Sequence, residues 1–128
     1  VRIVLPYPVS GNRYWRHVRT PHRTLVYRSS EADAYRDEVR ARCRAGGLPA
    51  PHIGPVTVGV ILHPRLRKRG GASNTVIDLD NGLKVLFDAL QGCAFIRDSQ
   101  VRKLAAEYGE AMDGGGVTVT VQPMEDVS

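Results

Sequence analysis

The chain has little cysteine, few aromatics and no long apolar run. Its two cysteines, Cys43 and Cys93, lack the close pairing of a zinc site and are too few for a disulfide framework. Both are read as reduced thiols in a cytoplasmic protein. No apolar stretch approaches the ~20 residues of a membrane span, so no membrane partner is expected. Val1 to Leu5 is too short for a signal peptide before Pro6. There is no internal repeat, no Gly-x-x-x-x-Gly-Lys loop and hence no nucleotide cofactor, and no Ser/His/Asp arrangement. His17, His22, His52 and His63 share no ligand spacing. Acids are also in short supply: 13 against 18 basic residues, 15 of them Arg, for a net charge of +5. That balance points to an acidic partner, and the planar guanidinium fork suits phosphate.

At 128 residues the chain has the length of one domain. Short strands are expected at Arg2–Leu5, Thr24–Tyr27, Val56–Leu62, Val101–Tyr108 and Val117–Gln122, the last with strict Val alternation. Ile3–Leu5 and Leu25–Tyr27 would form a hairpin or an adjacent pair. One helix is expected over residues 31–45, started by Ser29 or Ser30 and stopped by Gly46-Gly47. Its buried stripe is Tyr35, Val39 and Cys43. A second helix, residues 81–91, carries Leu83, Leu86, Phe87 and Leu90 on one face. The predicted fold class is therefore α+β (mixed α/β): a small single domain over residues 1–123, with about five strands in a mixed sheet, two main helices and a tail at 124–128.

The junction before the second helix concentrates polar chemistry. Thr75, Val76 and Ile77 favour an extended chain. Asp78 and Asp80 are two apart, so on a strand end their carboxylates would point the same way. Asp80 or Asn81 would cap the helix, and Lys84 stands one turn beyond Asp80. Two carboxylates beside an ammonium suit Mg²⁺ and a phosphate. They equally suit a plain capped helix start with a weak exposed pair. Asp88 lies one turn after Lys84, as its orienting partner or as part of a structural pair.

Elsewhere, Arg13, Tyr14, Trp15 and Arg16 interleave basic and aromatic side chains, as a nucleic-acid contact does. Trp15 as a core anchor with snorkelling arginines is the other reading. Arg65, Arg67, Lys68 and Arg69 with Gly70-Gly71 would make a flexible cationic loop beside the acidic junction.

The combined pattern is Asp78-x-Asp80-Asn81-x-x-Lys84, then Asp88-Ala89-Leu90, then Asp98-Ser99-Gln100-Val101, with an opening motif Pro6-x-Pro8-Val9-Ser10-x-Asn12-Arg13-Tyr14-Trp15-Arg16. It resembles the RusA family of Holliday junction resolvases, from Ile3 to about Tyr108. The resemblance implies a homodimeric, Mg²⁺-dependent endonuclease of bacterial or phage origin, with Mn²⁺ as a substitute metal, that nicks four-way DNA junctions in pairs. Carried over residue by residue, it implies Asp78, Asp80 and Asp98 as catalytic, metal-binding acids and Lys84 as the catalytic lysine. Asn12, Arg13, Tyr14, Trp15, Arg16, Arg65, Arg67, Lys68 and Arg69 are the expected DNA contacts. Many relatives have two acids before the Ser-Gln step, whereas this chain has Arg97-Asp98. A non-catalytic junction-binding dimer, and a nuclease acting on other branched DNA, are the alternatives.

Overall fold

Alternating β-branched residues build a sheet that can bury only one face. In the computed structural model, which describes residues 2–48, 50–73 and 76–124, the elements run β1 (Arg2–Leu5), α1 (Gly11–Tyr14), β2 (Trp15–Arg19), β3 (Thr24–Arg28), α2 (Ser30–Ala45), β4 (Val56–His63), α3 (Leu79–Leu90), β5 (Val101–Tyr108) and β6 (Gly116–Pro123). A 3₁₀ turn, Asp98–Gln100, leads into β5. No helix among the described residues is long and apolar enough to cross a membrane.

The main sheet has the order β1-β6-β4-β5. β4 is antiparallel to β6 and parallel to β5. A parallel pair needs a crossover, and α3 supplies it. Val56, Val58, Val60 and Leu62 of β4 point to the helix side, as do Val117, Val119 and Val121 of β6. Against them pack Tyr35, Val39 and Cys43 of α2 and Val85, Leu86, Ala89 and Leu90 of α3. The stripe expected of α2 is therefore its buried face. The Ser29 hydroxyl caps α2, accepting from the Ala32 N–H at 3.1 Å. Gly47, at φ +86°, follows the helix end in a conformation that favours glycine. Cys43 and Cys93 are free thiols.

Two expectations are corrected. The mixed sheet has four strands, and the remaining two form a separate antiparallel hairpin, β2–β3. β1 does not pair with β3. It lies on β6, where Ile3 faces Val119 and Leu5 faces Val117, so its buried side chains join the core. β2 was hidden because Trp15-Arg16-His17-Val18-Arg19 has no apolar alternation; its extended form comes from cross-strand partners, with no buried face to imprint a pattern. The cationic stretch after β4 contains a hydrogen-bonded turn. The Arg67 N–H donates to the Gly71 carbonyl at 2.9 Å and the Gly70 N–H to that of Arg67 at 3.0 Å. Thr75, part of the expected extended run, and residues 125–128 of the tail lie outside the described residues.

Leu86 is 1% exposed and joins α3 to the sheet. Leu86→Ala should cost about 3 kcal/mol through lost transfer energy and a residual cavity. Urea unfolding followed by Trp15 fluorescence checks this, and a midpoint equal to wild type would contradict the packing.

Candidate active site

Two tyrosines fix the chain just before α3. The Ile77 N–H donates to the Tyr7 hydroxyl, and the Tyr108 hydroxyl donates to the Ile77 carbonyl, both at 2.9 Å. Asp78 is the N-cap residue, without a side-chain capping bond, and Asp80 and Asn81 already lie inside the helix. The acids therefore straddle a helix start instead of sharing a strand end, and neither Asp80 nor Asn81 is the cap. Asn81 has a different task. Its Oδ1 accepts from the Gly11 N–H at 3.2 Å. A Cβ at Gly11 would come within 2.5 Å of that oxygen, so the close approach needs glycine. The opening motif is thereby fastened to the acidic junction. Asp78 lines a cleft there with Tyr7, Arg13, Arg65 and Asn81.

A groove runs along the exposed stripe of α3. Asp80, Leu83, Lys84, Phe87, Asp88 and Gln91 line it, with Trp15 and Asp98 on its flanks. The i, i+3, i+4 spacing puts those helix residues on one face. Asp98 belongs to the far end, where its N–H donates to Gln91 Oε1 at 3.4 Å. Gln100 braces the turn that carries it. Its Oε1 accepts from the Ile96 and Arg97 N–H groups, and its Nε2 donates to the carbonyls of His52 and Gly54, all at 2.8 Å. The Ser-Gln step of the motif is thus a positioning device for Asp98.

Asp78, Asp80, Lys84 and Asp98 make no side-chain hydrogen bond or ion pair among the described residues. Unpaired acids and a lysine sharing a groove suit a ligand that brings cations and phosphates. They are not, however, one cluster. Gln91 lies eleven residues beyond Asp80, about 16 Å of helix rise. Among the described residues, no group of three His, Cys, Asp or Glu side chains is placed to hold a metal ion. Glu107 lies on the sheet's open face, in a cleft with Arg2 and Thr120.

Asp88 is a structural anchor. It is 9% exposed and accepts from Arg28 Nε at 2.7 Å, from Arg28 Nη2 at 2.8 Å and from the Tyr14 hydroxyl. Arg36 Nε stands 3.7 Å away. Burial alone would raise the Asp88 pKa, but the Arg28 and Tyr14 hydrogen bonds and the charges of Arg28 and Arg36 outweigh it and hold the carboxyl below its usual range. Burial, then the bond to Asp88, pushes the Tyr14 phenol up. Asp88 is therefore not free to orient Lys84. The sequence reading missed Arg28 and Arg36; no spacing rule connects residues 60 positions apart.

Tyr14 leaves the DNA-contact set, because its ring is fully buried. It is the core anchor that the sequence offered for Trp15, whose half-exposed ring flanks the groove. Asn12, Arg13 and Arg16 are exposed, with Arg13 paired to Glu31 at 3.1 Å. Arg65 lies over the Tyr7 ring at 4.5 Å, and Arg67, Lys68 and Arg69 project from the turn.

Comparisons place this arrangement among known proteins. The family model described as endodeoxyribonuclease RusA matches residues 6–122. The crossover junction endodeoxyribonuclease RusA of Escherichia coli K12 is 36% identical over 123 residues, covering 95% of this chain and 93% of the relative. The protein of the same name from enterobacteria phage 82 is 33% identical, with the same coverage. That of Escherichia coli O139:H28 is 34% identical over 128 residues, covering 97% and 95%.

Asp88→Asn should lower stability at pH 7 by on the order of 3 kcal/mol, because Arg28 and Arg36 lose their counter-charge. The depressed native pKa sets the sign of the pH effect. Stabilisation by Asp88 is complete above the ordinary carboxyl pKa of about 4 and drains as pH falls through the lower native value. Urea midpoints of wild type and variant should therefore converge between pH 7 and pH 2. A constant gap would contradict the ion-pair assignment.

Proposed function

The chain belongs to the RusA family of endodeoxyribonucleases, and from that premise we propose how its residues act. It is a crossover junction endodeoxyribonuclease, a Holliday junction resolvase that hydrolyses phosphodiester bonds in DNA. The observation that carries the residue assignment is the α3 groove, where Asp80, Lys84 and Asp98 stand exposed and unpaired beside Trp15. Asp78 and Asp80, two free carboxylates at one helix start, fit Mg²⁺, which takes one or two carboxylates and completes its shell with water and phosphate oxygens. Mn²⁺ suits the same oxygen donors. Asp98 would be the third metal-binding acid, brought in from a second copy of the chain. Bound by these acids, a divalent cation would supply Lewis-acid chemistry toward the phosphodiester and the attacking water. The Lys84 ammonium stabilises the negative charge that develops on the phosphate. Asn12, Arg13, Trp15, Arg16, Arg65, Arg67, Lys68 and Arg69 hold the backbone of the branched DNA. Arg97 gives the Asp98 turn its backbone N–H and carbonyl, so an arginine in place of an acid leaves the brace intact. A DNA substrate, with relatives from bacteria and phage, supports a cytoplasmic location.

The working unit we propose is a homodimer, since paired nicks in a junction with twofold symmetry call for two equivalent sites. That no group of three His, Cys, Asp or Glu side chains among the described residues is placed to hold a metal ion within one copy supports a second copy. In such a dimer Asp98 of each copy would complete the site at the helix start of the other.

Wild type should make paired nicks in a four-way junction with Mg²⁺ and none with EDTA. Asp80→Asn should abolish cutting while preserving or tightening junction binding, since one repulsive charge is gone. Retained cleavage by this variant would remove Asp80 from the mechanism. Asp80→Asn and Asp98→Asn, unfolded together and refolded, should regain single-strand nicking, because the mixed dimer keeps one whole site. Continued inactivity of the mixture would put each site within one chain.

A further inference from the structure

The β2–β3 hairpin stands apart from the core, and its charge is one-sided. No acid occurs before Glu31, whereas the twenty residues from Gly11 to Ser30 hold Arg13, Arg16, Arg19, Arg23 and Arg28 with His17 and His22. Residues 16–27 are exposed throughout except for half-buried Thr20. Only the root is anchored. There Trp15 flanks the α3 groove, its cross-strand partner Arg28 grips Asp88 on the groove wall, and the Arg28 guanidinium lies 5.9 Å from the Trp15 ring centroid. The tip is closed by the Thr20 hydroxyl and the Arg23 backbone, with the Thr20 N–H on the Arg23 carbonyl at 2.8 Å.

Register decides which face continues the groove. Trp15, His17 and Arg19 pair with Arg28, Val26 and Thr24. Cross-strand partners share a face and alternate residues share it along each strand, so these six form one surface with Trp15 at its base. The opposite face carries Arg16, Val18, Leu25 and Tyr27. Arg19 and Arg23 make no ion pair among the described residues. At ~3.3 Å per residue the five residues of β2 reach about 17 Å from the groove, the length of five base pairs of duplex.

Building on the junction-resolvase reading, we propose that the hairpin is a phosphate-gripping arm: its Trp15–His17–Arg19 face and Arg23 lie along the backbone of the duplex arm leaving the α3 groove. The partner is chosen by charge. A strip of cations with no acid of its own favours phosphates as its partner. The hairpin thereby sets which arm of the junction is clamped to which groove.

The test is fluorescence anisotropy of a labelled four-way junction with the full chain over a range of salt concentrations, for wild type, Arg19→Ala/Arg23→Ala and Arg19→Lys/Arg23→Lys. The alanine double variant should bind more weakly at low salt, and its slope of log affinity against log salt should fall by about two, one for each phosphate no longer neutralised. The lysine variant should keep the wild-type slope, which separates the effect of charge from that of structure. An unchanged slope and affinity in the alanine variant overturn the arm. So does a Leu25→Glu variant that shifts the sedimentation mass while both arginine variants bind normally, because the hairpin is then an interface between copies of the chain. Wild type failing to bind junctions at all would instead overturn the resolvase reading on which the arm rests.

Discussion

One buried carboxylate ties the functional half of the molecule together. Asp88 sits on the groove wall of α3, yet its partners come from the end of α1, the end of β3 and the middle of α2. A carboxylate removed from water is costly unless its lone pairs and its charge are met. Here a bidentate guanidinium, a phenol and a second arginine meet them. The requirement of one side chain therefore fixes where the hairpin begins, where Trp15 stands and how α2 lies against α3. Asp80 and Lys84 stay unpaired on the same helix face, while Asp88, one turn beyond Lys84, takes Arg28 and Arg36.

The sequence was readable where burial imposes a period. β4 and β6 announced themselves by Val alternation, and α2 by its cap, its Tyr35–Val39–Cys43 stripe and its glycine stop. Asp78, Asp80 and Lys84 were legible as a motif, and the structure puts Asp80, Lys84 and Asp98 on one groove without gathering the acids into a cluster. What escaped was set by distant partners. β2 has no buried face, so its pairing with β3 left no pattern to read. β1 could have joined either neighbour, and only the match of Ile3 and Leu5 with Val119 and Val117 decides for β6. The division between Tyr14 and Trp15 also depends on Asp88, 74 residues beyond Tyr14 in the chain, which accepts the only hydroxyl of the pair.

Motif residues that do no chemistry explain why the motif is longer than its acids. Asn81 holds Gly11, and Gln100 ties four backbone groups around the Asp98 turn. An acid on a loop is useful to a cation only if the loop is held within a fraction of an ångström, and two amides do that here without adding charge. Amides suit the task because each offers donors and an acceptor at once and is indifferent to pH near neutrality.

The strand order also governs when the protein can exist during its synthesis. β6 is the last strand in the chain but lies in the interior of the sheet, between β1 and β4. A nascent chain emerging from the ribosome therefore has β1, both long helices, β4 and β5 in hand while the central position stays empty. The Val56–Leu62 edge remains open, and Ile3 and Leu5 have nothing to lie against. Sheet closure joins β1 to β6, a pairing of high sequence separation that waits until β6 has been made. A translation product stopped before β6 would carry Asp78, Asp80, Lys84 and Asp98 yet no completed sheet to hold them in place.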